Sequence, residues 1–464
     1  MRNTLWLTGI VLGFLLPLCP RAQGQSDGPA PAAAAPAAGA QPFDGQLFHG
    51  RIALSHDGNF NDEDDWGAFP VVIAILDAFG VKEKLVHIDF NNITNYNDSR
   101  FESEMNASVL GAAERYRIPS SVLKNCRTDL AGAIRSVTES VNASSAEDPL
   151  WYLLAGPMDV PYAGIRAADP AKRRFVYCLS HSVWNDGFGR KRPIEGCTKR
   201  DLIGLGIRWI QVRPGHLLAP STRTSSTPKQ WAMFQWMQDS SDERLRWVHS
   251  RIQAVGRADV SDATIAYSLL TGDEECDPQK LESLMEKKRK LALPGVRRTI
   301  RMEAENFGAL ENAAPVLAGR AASQSLSVRA AGASKGAIRN RFHEIYAARS
   351  GRHDVGIRYL DAGGGAAAFA LRVNGVPQGA SWTASADDNA WKTHTIESVA
   401  LGEGDEIAVD ITPEGGDRGE IDYVELQLRS TAPGVARPSA GPGLAAPQAG
   451  GPPQGSGERQ PSRY

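Results

Sequence analysis

Residues 55–69 read SHDGNFNDEDDWGAF and place Asp57, Asp62, Glu63, Asp64 and Asp65 in one turn, with His56, Asn59 and Asn61 among them. Such side chains hold hard cations through oxygen, and a carboxylate beside the ion is placed to take a proton from water. Three arrangements fit. A solvated acidic loop is the simplest, although like charges crowd unfavourably unless water or a cation compensates. An EF-hand loop needs oxygen donors at alternating positions, which Asp57, Asn59, Asn61, Glu63 and Asp65 supply. That loop fails at two decisive places: Asp62 stands where the turn glycine belongs, and Ala68 where the bidentate glutamate belongs. The third arrangement is the floor of an active site, and there the flanking elements decide.

GRIALSHDGNFNDEDDWGAFPVVIAIL reads strand, turn, helix, with Pro70 within the first turns of the helix, where a missing N–H costs little. LVHIDF, LWYLLAG, FVYCLS and IRWIQV are short apolar runs bounded by turn residues, as strands buried on both faces should be. FESEMNASVLGAAERY, TDLAGAIRSVTESV and WAMFQWMQDSSDERLRWVHSRI carry helical periodicity. Alternation of strand and helix predicts an α/β domain over residues 43–290. Its sheet would be doubly wound and mostly parallel, with ligands at the carboxyl ends of the strands, where the acidic turn lies. From residue 299 to 430 the pattern changes to HDVGIRYL, AAFALRVNG, KTHTIESVAL, EIAVDIT and IDYVELQL, separated by Gly, Asp and Asn. That spacing predicts an all-β sandwich of jelly-roll type, joined to the first domain near PGVRR, residues 294–298.

The chain has 464 residues and a formal charge of −2, which gives no reason to expect nucleic acid or an anionic membrane as partner. Residues 1–24 have Arg2, an apolar run from Leu5 to Leu18, then Ala22 and Gly24, the pattern of a signal peptide. Leu18 before Cys19 is not the small residue that lipidation needs. No later run reaches the roughly 18 apolar residues of a membrane span, so a secreted or periplasmic protein is expected. Residues 25–42 form a Pro/Ala linker, and 431–464 are expected to be a disordered tail. Export permits disulfides among Cys126, Cys178, Cys197 and Cys276, with the pairing open; no C-x-x-C supports zinc.

Strand, then Asp57, then Asp62-Glu63-Asp64-Asp65, then an Ala-containing helix resembles the calcium-binding turn of the inosine–uridine nucleoside hydrolase superfamily, above all its secreted branch with a D-x-D-D turn. Three later segments fall in the expected order. LVHIDFNNIT resembles the second strand, with Asn91 or Asn92 where an asparagine touches a sugar hydroxyl. GPMDV, residues 156–160, stands where the family has G-P-L-T-N. VSDATIAYSLL places Asp262 on a ligand aspartate.

The resemblance implies Ca²⁺ held by Asp65, Asp262 and the Asp159 carbonyl, completed by Asn59, Asp57 or Asp62, with Asp64 as the base for an ion-held water. It also implies glycosidic-bond hydrolysis. The sequence departs from the family in three ways. Asn59 holds the strongest ligand position, or the extra residue in this turn displaces it; Ser261 stands where purine-active members carry a leaving-group histidine, and SHSVWNDGFGR replaces the sugar-binding E-F-N stretch. His181, Trp184, Asn185 and Asp186 are therefore expected to line the pocket, with His181 or His56 as acid. The substrate expected is a glycan-derived glycoside rather than a nucleoside.

In the second domain RMEAENF, VGIRYLDAGGG, LRVNGV, W-x(8)-W and GEIDYVELQL resemble β-sandwich carbohydrate-binding modules of secreted glycanases. That likeness implies a second, structural Ca²⁺ on Glu303, Glu305 and Asp422, with Trp382, Trp391 and Asn374 meeting sugar. The simpler readings are that Trp391 and Tyr359 are core residues and that Asn374-Gly375 is a hairpin turn. The expected function is thus an exported calcium-dependent glycosidase tethered to carbohydrate. The alternatives are a non-catalytic glycan-binding protein, or a polysaccharide lyase using Arg190, Lys191 and Arg192.

Overall fold

In a computed structural model the described residues are 43–44, 47–60, 63–187, 197–212, 215, 217–219, 226–273, 275–287, 299–318, 322–323, 326–342, 350–402 and 404–431. The expected signal peptide, the 25–42 linker, the join at 294–298 and the tail beyond 431 lie outside them.

The first domain is built on a six-stranded parallel sheet: β1 (Arg51–His56), β2 (Leu85–Phe90), β3 (Leu123–Asn125), β4 (Leu150–Ala155), β5 (Val176–Ser180) and β6 (Arg208–Gln211). Its order is β3-β2-β1-β4-β5-β6, every neighbouring pair parallel. The chain therefore winds outward from β1 in one direction and from β4 in the other. The carboxyl ends of β1 and β4 flank the switch point where such sheets open a crevice.

Helices cover both faces: α1 (Asp65–Ala78), α2 (Ser99–Tyr116), α3 (Leu130–Asn142), α4 (Asp159–Ala167), α5 (Lys199–Gly204), α6 (Glu243–Val255), α7 (Ala263–Thr271) and α8 (Pro278–Met285). Ile52, Leu54, Trp151 and Leu153 face a core shared with α1, α2, α6 and α7. Ala53, Tyr152 and Leu154 face the opposite core with α3 and α4. This two-sided burial is why the strands read as continuous apolar runs.

Three details differ from expectation. WAMFQWMQDSSDERLRWVHSRI is not one helix, because Asp242 caps the amides of a new one, accepting from Arg244 N. The short edge strand β3 gave no signal. Pro70 lies a turn deeper in α1 than an N-terminal proline should, so the Trp66 carbonyl loses its helical donor. The Ser108 hydroxyl on α2 takes that carbonyl at 2.6 Å.

The second domain stacks two antiparallel sheets. Its strands are β7 (Thr299–Glu303), β8 (Ala309–Glu311), β9 (Ala313–Leu317), β10 (Leu326–Ala330), β11 (Gly336–Arg341), β12 (Gly351–Asp361), β13 (Ala368–Val373), β14 (Val376–Thr383), β15 (Ala390–Leu401), β16 (Glu406–Thr412) and β17 (Glu420–Thr431). One sheet runs β8-β11-β16-β13-β14. The other runs β9-β10-β17-β12-β15, with β7 pairing beside β17. Val355, Ile357, Phe369, Leu371, Val409, Ile411, Val424 and Leu426 fill the space between them.

Asn374 (φ 50°) and Gly375 (φ 77°) close the β13–β14 hairpin, and the Asn374 side chain bonds Asp405 and the Glu406 amide. Asn374 is therefore a turn residue rather than a sugar contact. Trp382 is also reassigned, being 9 % exposed with Phe369 stacked at 5.6 Å and His394 at 4.2 Å. No ring face is left for a sugar. Trp391 is half-buried under the Arg358 guanidinium, 5.2 Å from its centroid, and Tyr359 is core.

Candidate functional site

The acidic turn does gather with residues far along the chain. His56 ends β1, Asp64 caps and Asp65 begins α1, His181 follows β5, and Asp262 caps α7. One ligand atom each of His56, Asp65 and Asp262 lie within 4.8 Å of one another, all buried. Among the described residues this is the one group of three or more His, Cys, Asp or Glu side chains so close together. His56 Nδ1 sits 2.5 Å from Asp65 Oδ1, and His181 Nε2 sits 2.6 Å from Asp262 Oδ1. Asp64, 9 % exposed, is approached by the Ser261 hydroxyl at 3.5 Å and the Arg257 guanidinium at 3.4 Å. Arg257 also lies 3.6 Å from Glu63 and 3.5 Å from Asp259.

Asp57 is buried beside this group. Its Oδ1 accepts from the Gly58 amide at 2.8 Å, and its Oδ2 meets no N–H or O–H donor. Burial pushes Asp57 up to about 7; hydrogen bonding to Asp65 and Gly58 opposes the rise, while the charges of Asp262 and Asp64 add to it. Two carboxyl groups can hydrogen-bond only through a proton held between them, so the ionised set calls for a cation. Three buried carboxylates with an unsatisfied oxygen and hard donors fit a divalent ion of the calcium class.

Burial lowers His56 to about 4, against the pull of Asp262 and Asp89, so its neutral ring donates to Asp65. For His181 burial also opposes charge. The Asp262 hydrogen bond, with the charges of Asp262, Asp64 and Asp186, outweighs it and raises the pKa. A carboxylate oriented by a buried imidazole is the usual way a ligand is held in place.

Other expected residues do not join the cluster. Asn59 is a loop anchor: its Nδ2 donates to the carbonyls of Ile93 and Tyr96, and its Oδ1 accepts from the Ile93 amide. Its carboxamide is spent there, so its ligand role is withdrawn. Asp62 lies outside the described residues, as do Arg190, Lys191 and Arg192. Asp159 begins α4 and turns its carboxylate to the Cys197 amide at 2.8 Å. The ligand expected at Asp159 is its backbone carbonyl, which this carboxylate contact leaves untouched.

Asn91, in the left-handed region at φ 56°, donates to Asn106 and Asn125. Asn92 donates to Ser55 at 2.7 Å and to Asp89 at 3.3 Å. Both keep a buried Oδ1 with no hydrogen-bond partner, able to accept from a hydroxyl. A Cβ on Gly156 would fall 2.6 Å from Asn92 Oδ1, which explains a glycine at that strand end. Trp184 is half-buried. Asp186 is drawn away from the cluster, accepting from Ser180 Oγ at 2.6 Å.

Sequence reasoning missed Asp89, a buried hub on β2 that receives Ser55, His87, Tyr152 and Asn92. Its signal was present: His87 and Asp89, two apart in an otherwise apolar strand, share one face and must satisfy each other. In the sandwich, Glu303 Oε2 and both Glu305 oxygens are buried without hydrogen-bond partners, as a cation site requires. Asp422 is already engaged by the Ser323 amide and Arg358. Burial and the Glu305 charge push Glu303 up to about 8. Cys126, Cys178, Cys197 and Cys276 are buried and not joined to one another, so the disulfides that export would permit do not form among them.

No protein-family model matches the chain. A curated relative, "Uncharacterized protein P22" of Formosa agariphila, is 25% identical over 241 residues, covering 48% of this chain and 84% of the relative. Similar solved structures include a family 35 carbohydrate-binding module from Clostridium thermocellum, with 18% identity and a TM-score of 0.23 over 28% of this chain and 96% of that chain. The Podospora anserina GH26-CBM35 β-(1,4)-mannanase gives 17% identity and a TM-score of 0.24 over 30% of this chain and 29% of that chain. The exo-β-1,3-galactanase of Phanerochaete chrysosporium gives 17% identity and a TM-score of 0.22 over 28% of this chain and 30% of that chain. The chain thus spans less than a third of the length of these two enzymes. The two-sheet architecture of the second domain rests on its own strand pairing.

Proposed function

We propose that the protein is an exported hydrolase of a glycosidic bond that depends on a divalent cation, calcium in the first instance. Its sandwich domain would carry it to carbohydrate. The observation that carries this reading is the convergence of Asp57, Asp65 and Asp262, from two distant segments, at the switch point of a parallel sheet. The resemblance of the acidic turn and of the three segments after it to nucleoside hydrolases supports the same chemistry.

Asp57, Asp65 and Asp262 would hold the ion, which when bound supplies a polarised water and a grip on sugar hydroxyls. The chain's own residues do the rest. His56 and His181 fix the Asp65 and Asp262 carboxylates. The Asn91 and Asn92 carbonyl oxygens accept sugar hydroxyls and orient the ring. Asp64, at the rim beside Ser261, takes the proton of the attacking water. His181, held toward its protonated form, is the nearest acid for the leaving oxygen.

Turnover of a glycan and glycoside panel, measured with and without chelator, tests this. Activity should need the cation, and Asp64→Asn should lower kcat at least about 10²-fold while folding and cation binding persist. Full activity in that variant refutes the assignment. A second reading, a glycan-binding protein without turnover, is favoured by one contact: the Arg257 guanidinium on Asp64 weakens it as a base. Glycan binding with no turnover of any panel member would select that reading.

A further inference from the structure

Away from the first cluster, buried charged atoms without hydrogen-bond partners gather where the two domains meet. Lys199, the first residue of α5, is buried with its side chain 7% exposed. Its Nζ stands 3.6 Å from Asp186 Oδ2 in its own domain and 3.8 Å from Glu305 Oε1 in the sandwich. Both separations exceed a hydrogen bond, and none of the three atoms has a hydrogen-bond partner. The neighbouring Arg200 donates to the carbonyls of Phe307 and Gly308 on the same sandwich segment. Glu303, Glu305, Asp422 and Asp186 thus bring four carboxyl groups near three cations, Lys199, Arg358 and Arg301, and burial raises all four above their ordinary range. A buried ammonium left between carboxylates of two domains is stabilised only while both remain in place.

We propose that Lys199 is the built-in counter-cation of the sandwich's carboxylate cluster. It latches the module to the α/β domain through Glu305, and a divalent cation entering the cluster competes with it. A dication bound by Glu305 would face the ammonium within the few ångströms at which like charges repel strongly. Cation binding at the module and docking of the module therefore oppose each other. The latch reaches the first cluster by a short path: Asp186 accepts from Ser180, the residue before His181, which holds Asp262. Release of Lys199 would free the module and relax that strand end together. This inference rests on the cation reading of the sandwich cluster and not on hydrolysis, so its test reads no activity.

The test titrates calcium into the full chain carrying Asp65→Asn, which silences the first cluster, and follows heat of binding and small-angle scattering. Lys199→Met should bind calcium at the module at least about tenfold tighter than the Lys199 parent. Glu305→Gln should abolish that site. Without calcium, Lys199→Met should scatter as a more extended particle than the parent, while Lys199→Arg stays compact. The parent should extend as calcium is added. Unchanged or weaker calcium binding in Lys199→Met overturns the competition. Identical scattering by Lys199→Met and the parent in chelator overturns the latch. Circular dichroism of each variant separates these outcomes from misfolding.

Discussion

Asp57 shows how little of a site one residue reveals until its neighbours are known. In the sequence it is one acid among five in a turn. In the fold it is buried against Asp65, and its ionisation is tied to whatever charge sits between them. Asn59, two residues on and equally oxygen-rich, faces the other way and holds residues 93–97 in place. Spacing alone does not separate the two roles, because a turn gives each residue its own direction. Asp64, Asp65 and Asp262 were legible through resemblance. Arg257 was not, since a lone arginine before Ala258 carries no pattern. Trp382 was misread for a related reason: an aromatic on an edge strand looks like a sugar platform until a neighbouring ring covers it. Trp382→Ala should therefore cost about 3–5 kcal/mol of stability, as loss of a buried aromatic does, and denaturant unfolding of the full chain reads this directly. Lost glycan affinity at unchanged stability would restore the sugar-contact role.

Strand and helix identities were mostly legible because the sheet is covered on both sides, which leaves long apolar runs with sharp ends. The exceptions are elements decided by single contacts. Strand β3 has three half-buried residues and no apolar signature. The break before α6 depends on one capping aspartate. Helix α1 is buried along nearly its whole length, so its proline could be accommodated only by a partner for the Trp66 carbonyl. Ser108 provides it, and the Arg251 guanidinium holds the same hydroxyl at 2.8 Å. Ser108→Ala should leave that buried carbonyl unsatisfied and cost about 1–3 kcal/mol, measured as a lower midpoint in urea. An unchanged midpoint would mean that the helix relaxes around Pro70 unaided.

Over the whole molecule, the two-domain division was readable from the change of period. The contact between the domains was not, because Lys199 and Glu305 are ordinary charged residues until the fold buries them together. Cysteine use is likewise settled only in three dimensions. Burial raises the thiols of Cys126, Cys178 and Cys276 above their ordinary range, so near pH 8 each remains protonated and unreactive. A thiol reagent should label fewer than about one of Cys126, Cys178, Cys197 and Cys276 in the native protein and all four after denaturation. Failure of all four to react once unfolded without reductant would reveal disulfides instead.

The most direct test of the central claim is diffraction from crystals grown at saturating calcium, using anomalous scattering to locate the ion. In the first cluster the account predicts an ion with oxygens of Asp57, Asp65 and Asp262 each about 2.3–2.6 Å away. Carboxylates that stay paired with one another and with His56 and His181, with no ion between them at saturation, would contradict it.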